Sequence, residues 1–272
     1  MRFVHHWQYF RAGTIDHVVV LTGLVVLTAL LARVGRQYDR TDVSFFRETL
    51  RRTSFEQWLV AVMAIAWLAG LLLKLRPGYI SWDRSLPLHV CDVVGVAGPL
   101  AIWTRSRPLR AILHFWGLAL SSLAFLVPVI HTGPAHLDYW SYFGGHAAII
   151  SPAIYDVIVR GYRPTWTDWR VAALSGAAYV AVVLPIDVLL HANYGYIGQA
   201  IAGRSAQVAA WGPWPARVPL LLLTAWGFMA VLVLPWIRSQ SGKLSASDDG
   251  AEPAQEARFQ VDANGGFQQR AA

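Results

Sequence analysis

Seven stretches of this 272-residue chain are apolar over the length that crosses a bilayer, and that property restricts its fold more than any motif does. They run near residues 14 to 34, 56 to 75, 87 to 103, 111 to 130, 142 to 159, 169 to 190 and 217 to 238. In hydrocarbon no water reaches the backbone, so such a segment satisfies its own N–H and C=O groups as a helix. The chain therefore reads as all-α, a polytopic transmembrane helix bundle of about seven spans over residues 1 to 238. Composition agrees, with 55% hydrophobic residues against 14% charged. The third and fifth stretches are the shortest and most polar. Trp58, Trp82, Trp103, Trp140, Trp169, Trp214 and Trp236 fall near span ends, where an amphipathic ring prefers the headgroup layer. The first stretch is about 20 residues long, and more positive charge follows it than precedes it, so it is read as a helix and not as an export signal.

Lysine and arginine set the expected orientation. Sixteen of the 23 fall in the connections after the first, third and fifth spans and in the C-terminal segment, and the remaining seven lie on the other side. The positive-inside rule then puts the N-terminus outside and the C-terminus in the cytoplasm, and makes the cell membrane the expected location. The net charge of +7 follows as topology and attraction to anionic lipid, and nothing requires nucleic acid. Residues 239 to 272, rich in Ser, Gly, Asp, Ala and Gln, bury too little apolar surface to order themselves and are read as a disordered cytoplasmic tail. No 20- to 50-residue period repeats along the chain, and no inverted repeat relates its halves.

Polar groups within spans are costly, so their clustering marks a site. Cys91 is the only cysteine, which excludes an internal disulfide and leaves packing or reactivity. It stands just after His89 and before Asp92, at the start of the third span and behind Pro87, a favourable position for beginning a helix. There the positive end of the helix dipole favours a thiolate, although apolar surroundings push the other way. His146 of the fifth span comes to a similar depth, and the sixth span ends at Asp187 and His191, with Asn193 and Tyr194 just beyond. His131 and His136 lie in the loop over the same side. The opposite side offers Glu56, His114 and the deeper Asp156, which look scattered, while His5, His6 and His17 read as exposed or interfacial.

Helical angles suggest partners. Asp92 is turned about 100° from Cys91 and His89 about 200°, so a base for the thiol has to come from another helix, and His146 is the best placed. His89 and Asp92 share a face, as do Asp187 and His191, and both pairs read as internal hydrogen bonds. Pro99, Pro128, Pro152 and Pro185 interrupt four successive spans and point to a kinked bundle with an internal cavity.

Five segments together carry a resemblance: Leu86-Pro87-Leu88-His89-Val90-Cys91-Asp92, Phe115-Trp116-Gly117-Leu118, Phe143-Gly144-Gly145-His146, Tyr162-Arg163-Pro164-Thr165 and Asn193-Tyr194-Gly195-Tyr196. They resemble the bacterial YwaF-type integral membrane proteins, which are similar in turn to the eukaryotic transmembrane protein 164 family. The likeness covers roughly residues 50 to 240. It implies an acyltransferase that moves a fatty acyl chain onto a lysophospholipid, with Cys91 in the place of the nucleophile and His146 in that of the histidine. Distantly similar lipid hydrolases, described with a threonine and a histidine, extend it to hydrolysis. Ala147 stands where YwaF-type members often have glycine.

Such chemistry suits these residues, since a thiolate attacks, a histidine carries its proton, and an acyl-enzyme divides one hard step into two. Asn193, Tyr194 or His89 would supply the oxyanion donor. The implied partners are membrane lipids, phospholipid or lysophospholipid; no cofactor or metal is called for, and the oligomeric state stays open. Three other readings remain. A metal could use His89, Asp92, His146, Asp187 and His191, although no His-x-x-x-His or His-Glu-x-x-His spacing supports it. A proton-coupled transporter would use Asp92, Asp156 and Asp187. A non-catalytic scaffold would use the polar groups for helix packing.

Overall fold

The computed structural model describes residues 8 to 40, 45 to 199 and 211 to 236, with side chains over 8 to 37, 54 to 199 and 211 to 236, together with the backbone of 260, 261, 267 and 268. Among these residues the seven expected spans appear as helices. They are α1 (Ile15–Arg40), α2 (Phe45–Lys74), α3 (Val90–Thr104), α4 (Arg107–Leu126), α5 (Leu137–Ile158), α6 (Trp166–Leu190) and α7 (Arg217–Val231). Five segments are long and apolar enough to cross a membrane: Ile15–Gln37, Ser54–Lys74, Arg107–Leu126, Trp166–Leu190 and Arg217–Trp236. The other two are the third and fifth, the ones that read as shortest or most polar. α3 has 15 residues, or ~22 Å, which is less than the ~30 Å hydrocarbon core. α5 reaches 22 residues but falls outside the apolar set.

Local chemistry moves several boundaries. α6 starts at Trp166 because Thr165 and Asp168 form a reciprocal cap, in which Thr165 N–H donates to the carboxylate at 2.8 Å and Asp168 N–H to the threonine hydroxyl at 3.4 Å. α4 begins at Arg107, with Pro108 in its first turn. It runs as α-helix to Phe115, as a π segment over Trp116–Ser121, and again as α-helix over Leu123–Leu126. α3 starts at Val90 and not at Pro87, which lies outside the helix; His89 is the N-cap. Pro99, Pro152 and Pro185 lie inside helices, whereas Pro128 follows the end of α4, so three spans are interrupted rather than four.

Contacts between connections show that the first six helices alternate in direction. At one end, Tyr9 bridges Thr132, Phe10 N–H donates to the His131 carbonyl and Gly133 N–H to that of Gln8, both at 2.8 Å. At the same end Arg76 meets Asp138 through two bonds of 3.0 and 2.8 Å, and the Tyr194 hydroxyl donates to the Trp82 carbonyl at 2.8 Å. At the opposite end Glu56 meets Arg105 and Arg160, Arg107 meets Asp168, and Arg110 meets Asp156. Helices approach closely where a side chain is missing. A Cβ on Gly95 of α3 would strike the Trp67 ring of α2, and one on Gly35 of α1 would strike Tyr155 of α5. Outward faces stay apolar, as at Val25 (67% exposed), Leu174 (69%) and Leu189 (77%), which suits a lipid solvent. Trp58, Trp82, Trp103 and Trp140 are exposed as well, in keeping with a place in the headgroup layer.

An apolar groove of about 410 Å³ lies among α1, α2 and α5, with Leu27, Leu59, Met63, Gly144, Gly145 and Ala148 in its lining. Neither Cys91 nor His146 lines it. Most of the expected tail, 239 to 272, lies outside the described residues; within it, residues 260 and 261 pair antiparallel with 268 and 267.

Candidate functional site

The polar residues at the start of α3, in the third turn of α5 and at the end of α6 meet towards the end of the bundle that carries the N-terminal segment. Cys91 is the second residue of α3, partly accessible and with a free thiol. Backbone N–H groups of Cys91 and Asp92 lie against its sulfur, as the first turn of a helix allows. Asp92 does not pair with the His89 ring. Its carboxylate accepts the His89 backbone N–H at 3.2 Å and receives Lys74 Nζ at 2.8 Å on each oxygen. Lys74, the last residue of α2, thus brings a cation whose field reaches Cys91, His89 and His146.

The two histidines are held in opposite tautomers. His146 Nδ1 lies 2.7 Å from the Tyr142 carbonyl, one turn back on α5. A carbonyl only accepts, so Nδ1 carries the hydrogen and Nε2 keeps a lone pair. His89 Nδ1 instead accepts the Gly195 N–H at 3.4 Å, which leaves the hydrogen on Nε2. Neutral His146 is therefore a base at its outer nitrogen and neutral His89 a donor. Each ring is packed in place, His146 on Tyr142 with centroids 4.8 Å apart and His89 on Tyr194 at 5.1 Å.

Asp187 and Tyr194 serve the architecture of this end. Asp187 is buried, and its Oδ1 accepts the Tyr194 N–H at 2.9 Å. The His191 side chain does not partner it; the residue stops α6 in a left-handed conformation, φ 52°, its backbone N–H donating to the Asp187 carbonyl, and it is exposed. Tyr194 is fully buried, and its hydroxyl donates to Trp82 O while accepting Leu86 N–H at 3.0 Å, so it holds the connection before α3 and has no hydrogen to offer an oxyanion. Asn193 is buried beside it. Three further tyrosines, which the sequence does not single out, are near the thiol. Tyr142, Tyr179 and Tyr196 all lie within electrostatic reach of Cys91, and Tyr179 donates to the Leu88 carbonyl at 2.6 Å. Lys74 is missed because its basic charge reads as part of a loop.

Away from this cluster the structure changes two expectations. Glu56 and Asp156 are not scattered. Arg160 contacts Glu56 at 3.1 Å and Asp156 at 3.6 Å, and Arg110 adds a 2.8 Å contact to Asp156, so both carboxylates belong to one ion network. His114 is buried against Phe115 and Tyr162. His17 is buried rather than interfacial; its Nε2 donates to the Phe125 carbonyl at 2.6 Å and its Nδ1 accepts the Gly13 N–H at 3.0 Å. His5 and His6 lie outside the described residues. Among the described residues no three His, Cys, Asp or Glu side chains group as metal ligands.

A family model described as the TMEM164 family matches residues 12–234. The likeness to YwaF-type proteins accords with that family. No curated protein and no solved structure matches the chain.

Proposed function

This chain belongs to the TMEM164 family, and on that premise we propose that it transfers or hydrolyses a lipid acyl group through Cys91, with His146 as the base. The observation that carries the reading is the His146 tautomer. With Nδ1–H committed to Tyr142, the free Nε2 lone pair can take the thiol proton as sulfur attacks the ester carbonyl carbon of a phospholipid. When the tetrahedral intermediate collapses, the lysophospholipid oxygen leaves with that proton and the acyl chain stays on sulfur as a thioester. A second lysophospholipid hydroxyl, or water, then attacks the thioester while His146 takes and returns a proton in the same way. Transfer and hydrolysis differ only in that acceptor.

Partial access to Cys91 supports the reading, because an inert packing thiol has no need of it. The expected orientation puts the site at the outer leaflet of the cell membrane. A proton path along the bundle finds less support, since Asp156 is paired with two arginines. The test is acyl exchange between a labelled phospholipid and a lysophospholipid in nanodiscs containing the purified protein. Cys91→Ala removes little volume and should bring exchange to background with an unchanged unfolding profile. Full exchange by that variant would sink the reading.

A further inference from the structure

Tyr196 lies beyond α6, in a short turn over Tyr194–Tyr196, and its backbone is unusual. Gly195 and Tyr196 both have positive φ, 60° and 65°, a conformation disfavoured for a residue with a Cβ. The turn is fixed from three sides: Tyr194 N–H bonds to Asp187, Gly195 N–H to His89, and the Tyr194 hydroxyl to Trp82. A Cβ on Gly195 would collide with the Tyr179 hydroxyl, so the chain passes here only as glycine. These restraints hold the Tyr196 ring against His89, with centroids 6.2 Å apart, and bring its phenol within electrostatic reach of Cys91 and Tyr142. Of the other phenols of the cluster, Tyr179 gives its hydrogen to Leu88 O, and Tyr142 accepts the Val129 N–H at 3.4 Å. The Tyr196 hydroxyl makes no hydrogen bond among the described residues, and at 37% exposure a substrate can reach the residue.

We propose that Tyr196 is a catalytic residue of this site, its hydroxyl donating a hydrogen bond to the oxyanion that forms when Cys91 attacks an acyl ester. The inference rests on the acyl-transfer reading above. As the C–S bond forms, the carbonyl π pair moves onto oxygen, and that charge has to be met by a donor already in place. The phenol keeps its own proton throughout and returns to its resting state when the oxyanion collapses. Burial, and next the charge of a Cys91 thiolate, push it up to about 12, so it remains a donor across the neutral range. Its strained backbone is then a means of aim.

The experiment compares two reactions of the same sulfur in wild type and Tyr196→Phe. One is single-turnover acylation of Cys91 by a fatty acyl p-nitrophenyl ester in micelles, followed by p-nitrophenolate release and by mass spectrometry of the thioester. The other is alkylation of Cys91 by iodoacetamide, a displacement in which no oxyanion develops. Tyr196→Phe should slow acylation by roughly 10²- to 10³-fold and leave alkylation unchanged. Equal loss in both reactions would make Tyr196 a support for the thiol and overturn the assignment, as would no loss in either. If wild type forms no thioester, the acyl-transfer reading falls and this inference falls with it. Replacing Tyr196 with 3,5-difluorotyrosine gives a second check that keeps ring and hydroxyl, and it should alter acylation while alkylation holds.

Discussion

A backbone carbonyl before His146 and a backbone amide before His89 decide which nitrogen of each ring can act, so neighbours with no chemistry of their own assign the roles of base and donor. Removing the base should therefore be felt by the thiol. In wild type the alkylation rate of Cys91 should rise with pH earlier than in His146→Ala, and acyl exchange by that variant should fall by about 10²- to 10⁴-fold. Coincident pH profiles would show that His146 does not serve Cys91, and a shift confined to His89→Ala would move the base to the N-cap of α3. Because Cys91 is the sole cysteine, the rate reports one site. Much of this cluster is legible in the sequence, since a polar run at the head of an apolar stretch is conspicuous. Which of its members face one another is not. Helical angles turn His89 and Asp92 away from the thiol and say nothing of Lys74, which reaches Asp92 from a different helix. Tyr194 and Tyr196 are two residues apart, and only the turn that holds them makes one a buried strut and leaves the other with a free hydroxyl.

At the scale of helices, apolar length finds the elements while caps and ion pairs decide their ends. The starts of α4 and α6 lie ahead of the apolar runs because a proline and a Thr-x-x-Asp cap extend the helix into polar sequence. The π segment of α4 has no such signal. The ion network opposite the site cannot be read from sequence either, because its members come from α2, α4, α5 and the connections after α3 and α5. Its centre is Arg160, 4% exposed, between Glu56 at 10% and Asp156 at 2%. Arg160→Ala takes from Glu56 and Asp156 one of the two arginines that each of them meets, and thermal or denaturant unfolding in detergent should register a loss of roughly 1–3 kcal/mol. An unchanged unfolding midpoint would show that water reaches these groups and that the network does not hold α2 to α5.

For the whole molecule, the alternation of helices fixes which connections share a side, and the distribution of lysine and arginine says which side faces the cytoplasm. Ala135, exposed in the connection before α5, provides the test. In a Cys91→Ala background, Ala135→Cys should react with an impermeant maleimide added to intact cells, and a reporter fused after Ser239 should be active only in the cytoplasm. The reverse pattern would turn the bundle over and move the site to the inner leaflet. The bridge between Tyr9 and Thr132 also bears on how such a bundle is made. About 120 residues separate its two halves, so at ~5–20 residues per second the ribosome needs roughly 6 to 24 s to supply the second after the first. α1 therefore waits in lipid, without α5 beside it, until the connection before α5 has been synthesised.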